Sequence, residues 1–268
     1  MRTSYGDEAR EGKPKEVVAE SPTKVYNLLW VSPTFPVPGE QFWQPVPRQT
    51  VENMQGIAER NRTVDVQLWV DSIRMTGAQS EWLEKMTEEC KLHNFSLHNL
   101  RTIPEYSNNP FYNQPDNSRN WRFNKHSLIW RQVDAARILA CLQSSHDQVF
   151  YSDADITNLV VDSSEVQSRL KKHGIILSGG VHEKVGPWYE NGLFGFNPTK
   201  RDFFRLLYDT TLRDVVMERE NGYGSYINMI DSELKEKENI DLREIVFQAR
   251  YDGTAALHPR PQIATNSF

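Results

Sequence analysis

Two carboxylates stand two positions apart in Tyr151-Ser152-Asp153-Ala154-Asp155, directly after the apolar pair Val149-Phe150. Both can address one hard cation, and a divalent ion there can neutralise a diphosphate and stabilise the charge that builds on it as it leaves. Asp-x-Asp is a short pattern by itself. The hydrophobic strand in front gives it weight, because ligands of open α/β sheets bind at the carboxyl ends of strands. A calcium-loop reading fails, since Asn158 and Ser164 stand where the sixth-position Gly and twelfth-position Glu are needed. Upstream, Asp134 and Arg137 are three residues apart on a helical pattern. On a solvated face they are an ion pair worth about 0.2–0.5 kcal/mol. At the edge of a sheet they can bind a sugar hydroxyl and a phosphate.

These residues need elements to hold them. Lys24 to Val31 reads as a buried strand bounded by Ser32-Pro33, and Thr63 to Val70 as a second strand ending at Asp71-Ser72. Arg48 to Arg60 and residues 80–91 read as helices, and residues 94–103 as an alternating segment. Residues 104–121 form an irregular excursion, of a length that usually covers or builds a site. In the helix over 127–143, Ala135, Ile138, Leu139 and Leu142 fall at i, i+3, i+4, i+7 and form a core stripe. Strands follow at 148–152, 174–178 and 192–196. A long amphipathic helix starts at Thr199, and at least one more lies within 223–250. Alternating strands and helices predict an α/β domain over 25–268 with a mostly parallel central sheet, preceded by a flexible polar tail over 1–24.

The chain has 268 residues, with 31 Lys and Arg against 36 Asp and Glu, a net charge of −5. That balance argues against a nucleic-acid partner, which calls for clustered positive charge. No apolar run approaches the ~20 residues that span a bilayer, and none follows Met1-Arg2 as a signal peptide would. Cys90 and Cys141 are too few for a disulfide framework. The expectation is a soluble protein, cytoplasmic or delivered as an effector. The sequons at Asn61 and Asn94 carry little without a signal peptide, and Gly179-Gly180 either lines a site or serves a turn.

Four segments together resemble the DXD-containing GT-A glycosyltransferases, in particular their bacterial toxin and effector branch. Asn27-Leu28-Leu29-Trp30-Val31 is similar to that branch's first strand, and Val66-Gln67-Leu68-Trp69-Val70-Asp71-Ser72 to its second. Arg131-Gln132-Val133-Asp134-Ala135-Ala136-Arg137, leading to the Asp153-Ala154-Asp155 strand, is similar to the sugar-binding helix plus the DXD motif. Tyr189-Glu190-Asn191-Gly192 resembles the Glu-Asn segment of effector enzymes that glycosylate host proteins. Ser144-Ser145-His146-Asp147 departs from the Gly-Gly that often precedes the DXD strand.

The resemblance implies a nucleotide-sugar donor, usually a UDP-sugar, with Mn²⁺ or Mg²⁺ bridging the motif and the diphosphate. It implies that Trp30 contacts the base, that Asp134 and Arg137 bind the donor sugar and phosphate, and that Asp71 and Tyr151 belong to the donor site. Asp153 would hold the ribose or metal, Asp155 the metal directly, and Glu190 and Asn191 would lie near the reacting sugar as catalytic residues. A further metal ligand near the C-terminus would be His258 or Asn266, and Phe268 could close over the donor. The branch mostly retains anomeric configuration. An inverting reaction would need a base, for which Glu190 is the candidate. The acceptor is open, and the toxin-like resemblance suggests a protein. Two other readings use the same residues: a binding module of this fold that holds donor without turnover, and a phosphohydrolase that releases nucleoside monophosphate.

Overall fold

The computed structural model describes residues 21–32, 48–89, 92–115, 127–182, 186–219 and 222–250. Seven strands form one sheet: β1 (Lys24–Trp30), β2 (Asp65–Val70), β3 (Phe95–Asn99), β4 (Gln148–Ser152), β5 (Ile175–His182), β6 (Gly186–Phe196) and β7 (Val246–Phe247). Their order is β3-β2-β1-β4-β6-β5-β7. The pairs β1–β2, β2–β3, β1–β4 and β5–β7 are parallel, while β6 runs antiparallel to both β4 and β5. The chain leaves β1 outward through β2 and β3, then returns to β4 on the other side of β1. The point of reversal therefore lies between β1 and β4, and a ligand crevice belongs at their carboxyl ends.

Alternation along the strands divides the core into two layers. Val25, Val149, Tyr151, Phe194, Phe196 and Leu177 join α4 (Leu128–Leu142), α6 (Arg201–Val216) and α7 (Gly222–Met229) on one face. Tyr26, Leu28, Phe150 and Ile176 pack on the other face with Met54 and Ile57 of α1 (Arg48–Arg60), Leu83 of α2 (Gly77–Glu89) and Leu170 of α5 (Ser164–His173). Each such side chain, fully buried, contributes about 1.5–3 kcal/mol. The predicted stripe of α4 is in place, with Ala135, Ile138 and Leu139 buried and Leu142 packed against them. No helix among the described residues is long and apolar enough to cross a membrane.

Several elements differ from the sequence reading. α5 was not anticipated: its core contacts are only Val166 and Leu170, too few to stand out as a stripe. β6 begins six residues before the strand expected at 192–196, because its first half pairs only with β5. Gly179 and Gly180 lie inside β5 rather than in a turn, where a Cβ at Gly179 would stand 2.0 Å from the Trp188 carbonyl oxygen. Of the tail over 1–24, residues 1–20 lie outside the described residues. Thr23 is held by hydrogen bonds to the Asp147 carboxylate, and Lys24 opens β1 paired with Asp162. In the excursion, α3 (Pro104–Ser107) and a short 3₁₀ turn at Pro110–Asn113 are ordered, and residues 116–126 lie outside the described residues. Both sequon asparagines are buried; Asn61 and Asn94 donate their side-chain amides to backbone carbonyls, which leaves neither open to modification in the folded chain.

Candidate functional site

α4 packs on the face of the sheet to which Val149 and Tyr151 of β4 point, and polar residues of the two elements meet at the mouth of β4. Tyr151 points into that layer and stacks on Phe194 with ring centroids 5.2 Å apart. Its hydroxyl donates to Asp153 Oδ1 at 2.7 Å. Arg137 lies beneath, with its side chain 3% exposed. Its Nη2 is 3.1 Å from Asp134 Oδ1, and its Nη1 is 3.4 Å from Asp153 Oδ1. Burial alone would lower the pKa of Arg137, but the oxygens of Tyr151, Asp153, Asp134 and Tyr226 outweigh it and raise it, so the guanidinium stays charged. The Tyr151 hydroxyl, pushed well up by burial, stays protonated and donating. The pair Asp134–Arg137 is thus a buried, two-carboxylate clamp rather than a solvated surface pair.

β6 completes the clamp through a break in its pairing. Leu177 pairs with Phe194, but the next residue of β5, Ser178, pairs with Glu190, so Asn191-Gly192-Leu193 bulge out of register. The Ser178 hydroxyl closes the base of the bulge, donating to the Glu190 carbonyl at 2.9 Å and accepting from Leu193 N–H at 3.1 Å. Freed from the ladder, the Asn191 carbonyl accepts from Arg137 Nη1 at 2.8 Å, and its side-chain amide donates to Asp134 Oδ1 at 2.8 Å. The Gly192 carbonyl accepts from Asp153 N–H at 2.7 Å, which fixes the turn that carries Asp153 and Asp155. A bulge that re-aims a side chain beside a site is a recurring use of this irregularity.

α7 closes the layer from the far side. A Cβ at Gly222 would lie 2.3 Å from the Asp134 Cβ, so the helix starts in direct contact with the clamp. Tyr223 donates to the Tyr189 carbonyl at 3.0 Å. Burial first, and the Glu190 carboxylate second, raise the Tyr223 pKa.

The structure therefore brings together Tyr151, Asp153, Asp134, Arg137 and Asn191, with Glu190 adjacent to Asn191 and Asp155 two residues beyond Asp153. Trp30 ends β1, the parallel neighbour of β4, and is half-buried against the same apolar layer as Ala154. It stands on the other side of the reversal point. Asp71 is not brought to the site. Its carboxylate is fully buried, accepting from Arg101 at 2.7 Å, Arg74 at 3.2 Å and Tyr106 at 2.9 Å. Arg74 in turn holds the carbonyls of Ser32, Tyr112 and Gln114, so this cluster anchors the 104–115 excursion. His258, Asn266 and Phe268 lie outside the described residues. An open groove of about 390 Å³ lined by Gln148, Gln167 and Lys171 sits at the amino end of β4, away from all these groups.

Among the described residues, no group of three or more His, Cys, Asp or Glu side chains converges as a metal cage. The donor set nevertheless suits a hard divalent ion. At the mouth of β4 two carboxylates, Asp134 and Asp153, face the guanidinium of Arg137, and Asp155 follows on the same turn. Two carboxylates on one turn also leave coordination positions for phosphate and water, as Mg²⁺ and Mn²⁺ sites do. Ser178, Gly222, Tyr223 and Tyr226 are parts of this neighbourhood that sequence reasoning missed. Their only signal was Gly222-Tyr223-Gly224, a small-residue start that allows a helix to approach closely.

No family model matches the chain, and no curated protein does. Solved structures do. One described as a transferase has 13% identity over 86% of this chain and 93% of its own, with a TM-score of 0.55. A double-cysteine mutant of a transferase has 14% identity over 89% and 94%, with a TM-score of 0.51. A bacterial N-acetylglucosamine transferase, NleB, has 14% identity over 90% and 99%, with a TM-score of 0.45. The first two likenesses establish a shared fold over nearly the whole of both chains. The α/β architecture with a mostly parallel central sheet that was expected from the sequence is the architecture observed.

Proposed function

We propose that the chain is a metal-dependent glycosyltransferase that moves a sugar from a nucleotide-sugar donor, of the UDP class, to a protein acceptor. The observation that carries this reading is the buried clamp of Asp134, Arg137, Asp153 and Asn191 at the mouth of β4, beside the reversal point of the sheet. The shared fold with solved transferases supports it. The resemblance of the Glu-Asn segment and the DXD strand to the effector branch supports a protein acceptor and retention of configuration.

Roles follow from placement. Trp30 offers an aromatic face for the base at the end of β1, while Asp153 and Asp155 would hold the Mn²⁺ or Mg²⁺. Such an ion, when bound, supplies the positive charge that a diphosphate meets as it leaves. Arg137 has two carboxylates already balancing it, so its work is to hold Asp134, Asp153 and the Asn191 carbonyl in place and to face the sugar, rather than to bind phosphate. Glu190 and Asn191 flank the reacting sugar. With retention no carboxylate nucleophile is required; with inversion Glu190 would take the acceptor proton.

The test is release of UDP from a panel of UDP-sugars with Mn²⁺, comparing wild type with Asp155→Ala. Metal-dependent release from one donor that falls by about 100-fold or more in the variant is expected, the size of effect that loss of electrostatic stabilisation produces. Donor held without release would show a binding module, and release of nucleoside monophosphate a phosphohydrolase.

A further inference from the structure

Tyr226 is 1% exposed, yet its hydroxyl has no hydrogen-bond partner among the described residues. The same is true of Nε of Arg137, which is itself 2% exposed. Buried polar atoms are almost always paired, and each unpaired one calls for an explanation. Two in one neighbourhood call for a shared one. Tyr226 lies one turn after Gly222, the residue that abuts Asp134, and Arg137 lies one turn after Asp134 on α4. Both orphans therefore belong to the α4–α7 contact that starts at Asp134 and Gly222. Tyr226 also lies within electrostatic reach of Arg137 and Glu190.

We propose that the Tyr226 hydroxyl and Arg137 Nε bind a hydroxyl group of the transferred sugar, which makes Tyr226 a residue that selects among donor sugars. This rests on the donor reading above. The chemistry favours a neutral hydroxyl over a phosphate, because Asp134 and Asp153 already outnumber the guanidinium in this buried floor and an added anion would be repelled. A sugar hydroxyl both donates and accepts, and so can satisfy the N–H donor and the phenol together.

The phenol's lack of a partner makes the test sharp. Tyr226→Phe keeps the ring and removes only an unpaired oxygen, so the free protein should melt at the same temperature or slightly higher. Titration calorimetry with Mn²⁺ then compares UDP, UDP-glucose and UDP-N-acetylglucosamine. The expected result is unchanged affinity for UDP and a loss of roughly five- to fifteen-fold for the sugar nucleotide that wild type binds best. An unchanged preference for sugar nucleotide over UDP overturns the assignment, and so does a melting temperature lowered by several degrees, which would give the hydroxyl a structural partner. If wild type binds none of the three, the donor reading itself is overturned, and the assignment with it.

Discussion

Arg137 is the residue on which the site turns. Its guanidinium touches two carboxylates and one carbonyl from three different elements, a task for a planar fork rather than a point charge. Arg137→Ala leaves Asp134 and Asp153 uncompensated in a buried place and is expected to destabilise the fold by about 3–5 kcal/mol. Arg137→Lys keeps the charge, so denaturant unfolding should show a smaller loss, while UDP release falls by about 100-fold because the second contact is missing. A lysine variant as active as wild type would show that the fork is not needed. At this scale the sequence was informative about types and spacing but silent on burial. Asp134 and Arg137 at i, i+3 fit an exposed pair as well as a buried one, and the packing of β6 and α7 over them shows that they are buried. Asp71 misled for the same reason: a carboxylate at a strand end looks identical whether it faces a ligand or two arginines.

Among elements, α7 and the β6 bulge do the positioning. Alanine is ordinarily the better helix former than glycine by about 1 kcal/mol. At Gly222 that gain is outweighed, since a new Cβ would stand 2.6 Å from Asp134 Oδ2 and α7 or the clamp must move. Gly222→Ala is expected to cost about 1–3 kcal/mol in thermal unfolding and to lower turnover more than stability. The bulge had no sequence signature, and the contact of α7 only its small-residue start, because both arise from pairings between strands and helices distant along the chain. The loop joining β4 to α5 has a separate role: Asp162 ties Lys24 at the start of β1 to Thr63 just before β2. Its hydrogen bonds to Lys24 and Thr63 hold its pKa below the usual carboxylate value of about 3.9. The stabilisation is therefore complete above that value and is lost as pH falls through the lower folded one. Wild type should exceed Asp162→Asn in denaturant stability at pH 6, and the difference should shrink at pH 3.

For the whole molecule, the α/β class and mostly parallel sheet were legible from alternating buried strands and amphipathic helices. The strand order was not, since β6 inserted between β4 and β5 reflects a hairpin whose first half looked like loop. That order has a consequence for how the chain folds. β1 has one neighbour, β2, some 40 residues on, and another, β4, more than 120 residues on. The pairings β1–β2 and β2–β3 join residues about 40 and 30 apart, whereas the central pairing waits on a longer closure that is entropically slower. Until then the inner edge of β1, with Val25, Tyr26 and Leu28, is an open, apolar template of the kind that seeds aggregation. The strand that carries the DXD turn is thus also the one whose arrival ends the chain's most hazardous interval, coupling the appearance of the site to the escape from misassembly.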